Sequence, residues 1–101
     1  MTKAVDILKI RQARGRLLTN LNLFYPTPVQ MATLYRTVCD DPDYCAALYR
    51  KDIQYFRDKG YIRCIDDALG GMPEWEKKVI VLTAAGKEVA EGTVIDPALE
   101  I

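Results

Sequence analysis

The clearest structural signals of the chain lie in residues 48–90, LYRKDIQYFRDKGYIRCIDDALGGMPEWEKKVIVLTAAGKEVA. Apolar residues recur at helical spacing in its first part, and Gly60 follows as a typical helix terminator. From Tyr61 to Ile65 and from Lys78 to Leu82 the residues are typical of β-strands, and Thr83 can cap a further helix. The order predicts a helix, a β-hairpin and a short last helix.

Length and composition limit the fold class. The chain has 101 residues, half of them hydrophobic, which suits one domain with a modest core. We expect residues 1–92 to form the domain and residues 93–101 to form a C-terminal tail. Fourteen basic and fourteen acidic residues give a net charge of zero, so the total charge does not favour nucleic-acid binding, which usually accompanies a basic balance.

Residue types missing from the chain argue against most enzyme classes. There is no His and no Ser, so the usual hydrolase triads cannot be built. The three cysteines, Cys39, Cys45 and Cys64, have no CxxC spacing and make a poor zinc site. Catalysis by carboxylates is not excluded, because the chain has fourteen Asp and Glu residues. We expect no enzyme, no metal and no cofactor.

The cellular setting is also constrained. Three unspaced cysteines do not indicate a disulfide framework, which favours a reducing compartment. No run of about 18 apolar residues is present, so no membrane span is expected. The N-terminus carries charges throughout and does not resemble a signal peptide. We expect a cytoplasmic protein.

The sequence before Gly60 predicts two further helices and the start of the helix that ends there. The first helix is expected over Thr2–Asn20, followed by a connection. The second is expected to run from Pro28 to near Cys39, with Thr27 as N-cap. The third is expected over Pro42–Lys59, with Asp41 as its cap.

The third helix is expected to be amphipathic. Cys45, Tyr49, Ile53 and Phe56 fall on one face at 3.6 residues per turn. Asp52 lies toward this apolar side, where a bond to a tyrosine or an arginine would satisfy it. The opposite face carries these residues: Asp43, Ala47, Arg50, Lys51, Gln54, Arg57 and Asp58.

Arg14 interrupts the apolar stripe of the first helix and is followed by Gly15. One interpretation is an arginine stem that lies along the edge of the core with its charged head in water. The other is a dimer contact or a break in the helix. We favour the first.

Two segments resemble the winged helix-turn-helix superfamily: residues 47–62 (ALYRKDIQYFRDKGYI) and residues 79–89 (VIVLTAAGKEV). The resemblance implies an α+β, mainly helical fold with three helices, a β-hairpin wing and a short C-terminal helix. The pattern LTxxGxxVAxG over residues 82–92 is similar to small winged-helix proteins of Mu-like prophages, which implies a phage origin.

This resemblance implies a sequence-specific DNA-binding protein, a transcriptional regulator that lays its third helix in the major groove of double-stranded DNA. Arg50 and Lys51 can donate to guanine, and Gln54 can pair with adenine. The remaining candidates are expected to contact phosphate. The full set of candidate DNA-binding residues is Tyr44, Arg50, Lys51, Gln54, Arg57, Lys77 and Lys78.

The charge distribution leaves a second function open. Residues 1–20 hold five basic residues against one acidic residue, whereas residues 83–101 hold one basic residue against four acidic ones. Such polarity allows a basic side on a neutral molecule. The acidic connection at residues 66–76, however, would be repelled by phosphate. The alternative is a winged-helix protein–protein interaction module without DNA binding, in which the cations form a solvated face.

A homodimer is expected with either function. A single domain of this size reads one DNA half-site, and most soluble oligomers are symmetric homodimers.

Overall fold

The computed structural model describes residues 4–38, 45–65 and 77–100. Over these residues the fold is α+β and mainly helical, with four helices and one antiparallel three-stranded sheet. The elements in chain order are α1 (Ala4–Phe24), β1 (Val29–Gln30), α2 (Met31–Val38), α3 (Ala46–Asp58), β2 (Ile62–Cys64), β3 (Val79–Leu82) and α4 (Ala84–Ala90).

Helix α1 is longer than predicted. It runs unbroken through Gly15 and ends at Phe24, so both a helix break at Arg14–Gly15 and a connection beginning at Asn20 are wrong. Leu17 and Leu21 are almost fully buried, which extends the apolar stripe by one turn beyond the predicted end. Burial of this stripe favours continued helix over a loop.

The predicted start of the second helix is wrong. Val29 and Gln30 form a short strand that pairs with β3, and the Met31 N–H donates to the Lys78 carbonyl over 2.8 Å. Helix α2 therefore begins at Met31 rather than at Pro28. The Thr27–Pro28 capping signal was local, and the strand pairing that overrides it comes from residues about fifty positions later in the sequence.

The β-hairpin is present. Strands β2 and β3 pair antiparallel, with Ile62 opposite Leu82 and Cys64 opposite Ile80, and the sheet order is β1-β3-β2. The predicted connection at residues 66–76 lies outside the described residues.

The predicted start of the third helix is also wrong. Cys45 has extended backbone angles (φ −102°, ψ 168°), so α3 begins at Ala46. The predicted cap Asp41 and the predicted first residue Pro42 lie outside the described residues. Cys45 is exposed, which corrects its predicted place on the buried face. As the residue that precedes the first turn, it lacks the helical backbone angles on which that prediction rested.

The predicted end of α3 is confirmed. Gly60 has a φ of +78°, which a residue with a Cβ adopts at a cost. Its N–H donates to the Arg57 carbonyl, and the Tyr61 N–H donates to the Phe56 carbonyl over 2.8 Å. These two bonds form a Schellman motif, which turns the chain directly into β2.

Helix α4 is capped as predicted. The Thr83 hydroxyl accepts a hydrogen bond from the Gly86 N–H. Gly86 is required for packing because a Cβ at this position would collide with the Tyr61 carbonyl oxygen.

Residues after α4 return across α1. Leu99 is buried in the core, and the Glu100 N–H donates to the Arg11 carbonyl over 3.0 Å. Gly15 allows this approach, since a Cβ there would collide with the Glu100 carbonyl. The rest of the core is formed by helices and strands together, including Leu17, Leu18, Leu34, Tyr49, Phe56, Ile80 and Val89.

None of the helices in the described part of the chain combines the length and apolar character that a bilayer-spanning helix needs.

Candidate nucleic-acid interface

Helix α3 separates its side chains into two faces. Tyr49, Asp52, Ile53 and Phe56 are buried. This arrangement follows from the 3.6-residue period, which turns every third or fourth side chain toward the same side. The opposite side carries four exposed candidate DNA-binding residues: Arg50, Lys51, Gln54 and Arg57.

The buried face of α3 is anchored to two other helices. The Tyr49 hydroxyl donates to the Met31 carbonyl over 2.7 Å, and its ring lies 5.0 Å from that of Tyr35. The Asp52 carboxylate accepts from Arg14 Nε over 2.8 Å. This ion pair supplies the arginine partner that Asp52 was expected to need. The Arg14 side chain is 25% exposed and its guanidinium is held in this ion pair, so the favoured interpretation of a charged head in water is wrong.

A groove of about 180 Å³ lies between α3 and the sheet. Four candidate DNA-binding residues line it: Arg50, Gln54, Arg57 and Lys78. The remaining lining residues are apolar side chains or a thiol: Met31, Ile53, Ile62, Cys64 and Ile80. The groove therefore has an apolar floor and a polar, cationic rim contributed by two separate elements of the fold.

The other candidates lie beside the groove or beyond it. Lys51 is exposed on α3 next to Arg50, and Lys77 is exposed just before β3, but neither lines the groove. Tyr44 lies outside the described residues.

Gln54 has a partner on its own helix. Its Nε2 donates to Asp58 Oδ1 over 2.8 Å, at the surface. A glutamine amide has two donor hydrogens and an acceptor oxygen, so one N–H and Oε1 stay available for another ligand. The same contact puts an acidic side chain at the end of the cationic row, close to where Arg57 lies on the helix.

The charge balance of the groove is positive. Its lining residues include three cations and no carboxylate. Asp52, the acidic residue nearest in sequence to Arg50, is turned inward and paired with Arg14. Within the described residues, Arg50 and Lys51 form no ion pair. Cations without intramolecular partners can bind an anionic ligand at no cost of breaking an existing contact.

A second polar cluster, around Asp96, was not indicated by the sequence. The buried Asp96 carboxylate accepts hydrogen bonds from the Tyr55 hydroxyl over 2.8 Å, the Tyr61 hydroxyl over 2.7 Å and the Ala98 N–H over 2.9 Å. Arg14 joins it by donating to the Ala98 carbonyl and lying over the Tyr55 ring. The cluster ties the segment after α4 to α1, α3 and the start of the hairpin.

These contacts shift the proton affinities of the cluster. Burial raises the pKa of Asp96, but the hydrogen bonds from Tyr61, Ala98 and Tyr55 outweigh it and hold the pKa below its ordinary value. Burial and the bond to Asp96 raise the pKa of both Tyr55 and Tyr61. Asp96 is thus ionised and both phenols are protonated near neutral pH. The cluster is saturated with internal bonds, which suits a structural role.

A metal site does not arise from the described residues, since they contain no group of three His, Cys, Asp or Glu side chains that could hold an ion. Comparison of the chain with known family models, with curated proteins and with solved structures found no match. The groove beside α3, with its row of cations, is therefore the feature from which function is inferred.

Proposed function

We propose that the chain is a winged-helix protein that binds double-stranded DNA sequence-specifically and acts as a transcriptional regulator. In this proposal α3 enters the major groove and the hairpin of β2 and β3 is the wing. The coarse α+β architecture supports the fold part of the proposal. So does the element order: a three-helix unit followed at once by an antiparallel hairpin, with β1 completing the sheet.

The observation that carries the DNA proposal is the convergence of cations from two elements on one groove. Arg50, Gln54 and Arg57 follow one another at helical spacing, and Lys78 faces them from the hairpin. The row from residue 50 to residue 57 extends about 10 Å along the helix. The major groove is about 12 Å wide and admits an α-helix, so a row of this length fits within it.

Each residue has a defined role in this proposal. Arg50 and Lys51 donate to guanine, and Gln54 uses its remaining N–H and Oε1 to pair with adenine. Arg57 and the wing residues Lys77 and Lys78 contact phosphate. With these three phosphate contacts, the logarithm of the association constant falls with the logarithm of salt concentration with a slope of about −3.

The alternative, a protein–protein interaction module without DNA binding, is favoured by one observation. Leu23 and Ile95 are exposed to 77% and 86%, and exposed apolar side chains of this size are frequent in contact surfaces. They lie on α1 and after α4, away from the groove. The two functions therefore use different surfaces and can be separated by mutation.

The test is binding of the purified protein to random-sequence duplex, measured by fluorescence anisotropy at about 50 mM and about 200 mM salt. We expect salt-sensitive binding, and a large loss in the double variant Arg50→Ala plus Lys51→Ala. Arg63→Ala is the matched control for Arg50→Ala. It removes the same charge from an exposed position of β2 between Ile62 and Cys64, whose side chains line the groove, so Arg63 is on the other face of the strand.

Selection of bound sequences from a random pool then tests specificity, and Gln54→Ala is expected to relax the preference for adenine at one position. Absence of salt-sensitive binding by the parent protein would refute the DNA proposal. Equal binding by the double variant and the parent would refute the assignment of α3. The first of these results would leave the interaction module as the better account.

A further inference from the structure

We propose that the groove between α3 and the sheet binds a small organic anion, a monocarboxylate with a short apolar body. This ligand is distinct from DNA. The inference concerns a surface that the DNA proposal also uses, but it does not require that DNA binds.

The floor of the groove has no role in the DNA proposal. Met31, Ile53, Ile62 and Ile80 line it, and each is exposed to 7% or less. The DNA contacts assigned above all belong to polar or charged side chains. An apolar floor beneath a charged rim is therefore left without a ligand, and it suits a compound that has both characters.

The floor is held in place by the core of the protein. Ile53 belongs to the buried face of α3, and Ile62 and Ile80 lie on the paired strands of the hairpin. The Met31 N–H donates to the Lys78 carbonyl over 2.8 Å, which ties the start of α2 to the residue before β3. A ligand therefore meets a preformed surface, which limits the entropic cost of binding.

The charges on the rim select an anion. Arg50 lies on α3 and Lys78 directly precedes β3, so two separate elements each bring a cation to the groove. Neither forms an ion pair among the described residues, and the described lining residues include no carboxylate. A ligand carboxylate can accept charge-assisted hydrogen bonds from both side chains. A neutral ligand would leave both charges uncompensated.

The volume of the groove limits the size of the ligand. It measures about 180 Å³, close to the roughly 150 Å³ of an engineered cavity that binds benzene. Drug-sized ligands need pockets of about 300 Å³ or more. The groove therefore accommodates one aromatic ring or a chain of about six carbons. A small inorganic anion would pair with the rim but leave the apolar floor in contact with water.

The test is a titration of the ¹⁵N-labelled full chain with sodium hexanoate, without DNA, followed by two-dimensional NMR. We expect a dissociation constant of about 1 mM, in keeping with the limited affinity of so small a ligand. Acetate and 1-hexanol are the ligand controls. Each is expected to bind at least about 10-fold more weakly, because acetate cannot cover the floor and 1-hexanol has no charge for the rim.

Substitutions locate the ligand. Lys78→Met removes the charge but keeps a long side chain, and it is expected to raise the dissociation constant at least about 5-fold. Lys77→Met is the matched control, since Lys77 is exposed beside Lys78 and does not line the groove. It is expected to leave binding unchanged. Cys64 is half-buried in the lining, so Cys64→Leu is expected to fill the groove and abolish binding.

Three results would overturn the proposal. They are no binding of hexanoate up to about 20 mM, acetate binding as tightly as hexanoate, and equal losses in Lys78→Met and Lys77→Met. Unchanged binding in Cys64→Leu would also overturn it. Because DNA is absent, none of these results bears on the DNA proposal, and failure of the chain to bind DNA would leave this inference standing.

Discussion

The two faces of α3 differ in what fixes their side chains. On the buried face, Tyr49 bonds the backbone of α2 and Asp52 pairs with Arg14 on α1. On the exposed face, the contact of Gln54 is with Asp58 of the same helix, and Arg50 and Lys51 have no ion pair among the described residues. The contacts of the buried face hold three helices together, whereas Arg50 and Lys51 contribute no ion pair to the described part of the fold.

The two faces are therefore expected to respond differently to substitution. Residues that hold the fold together are expected to lower the free energy of unfolding when truncated. Truncation of cations that form no contact within the fold is expected to leave the free energy of unfolding unchanged. It is expected to weaken ligand binding instead. The following experiments test that division, beginning with the largest effect.

Arg14→Ala is expected to lower the free energy of unfolding most. It removes the arginine partner of the buried Asp52 carboxylate, together with the bond to the Ala98 carbonyl. Breaking a buried pair typically costs 3–5 kcal/mol, and because the Arg14 side chain is 25% exposed, we expect a loss near the lower end, about 3 kcal/mol. Urea unfolding measures it. A loss under about 1 kcal/mol would mean that the pair behaves like a surface salt bridge.

Gly15→Ala extends the test to the segment after α4. Alanine is the better helix former by about 1 kcal/mol, so a substitution without contacts would stabilise α1. Here the added Cβ collides with the Glu100 backbone, and we expect a net loss of about 2 kcal/mol, as for other overpacked sites. Gln12→Ala, exposed on the same helix, is the control. A gain in stability for Gly15→Ala would show that residues 94–100 do not hold this position.

The pH dependence of stability tests the Asp96 cluster. The pKa of Asp96 is lowered in the folded protein, so its stabilising contribution is present above the unfolded-state pKa, about 3.9. It is lost as the pH falls through the folded-state value. We expect the thermal midpoint to decrease from about pH 4 downward, and Asp96→Asn to flatten that decrease. If the thermal midpoint of Asp96→Asn decreased below about pH 4 as steeply as that of the parent, the role assigned to this carboxylate would be contradicted.

Arg50→Ala is expected to change stability least. The side chain is exposed and forms no ion pair within the described residues, so the free energy of unfolding should stay within about 0.5 kcal/mol of the parent value. DNA affinity, in contrast, should fall. If Arg50→Ala had the same stability and the same DNA affinity as the parent, Arg50 would not belong to the proposed interface. If its free energy of unfolding fell by several kcal/mol, Arg50 would support the fold.

Local signals explain which parts of the structure could be predicted. Gly60 ends α3 and Thr83 caps α4 because each acts on its own turn of backbone. The outward position of Arg50 and Gln54 follows from the helix period alone. These features need no knowledge of distant residues.

The parts that were missed depend on contacts between distant residues. Strand β1 has two residues, too few for a periodic pattern, and exists because β3 pairs with it. The segment after α4 is fixed by Asp96, whose partners Tyr55 and Tyr61 lie 41 and 35 positions earlier. A proline-containing tail gives no local sign of such bonds. Lys78 was a candidate from its charge, but its approach to the α3 row required the register of the hairpin.

The most direct test of the central claim, that the exposed face of α3 binds DNA, is a titration of ¹⁵N-labelled protein with random duplex at low salt, followed by two-dimensional NMR. We predict that the largest shift changes occur at residues 50, 51, 54, 57 and 78, and that raising the salt concentration reverses them. Changes confined to α1 and residues 94–100, or no changes at any DNA concentration, would contradict it.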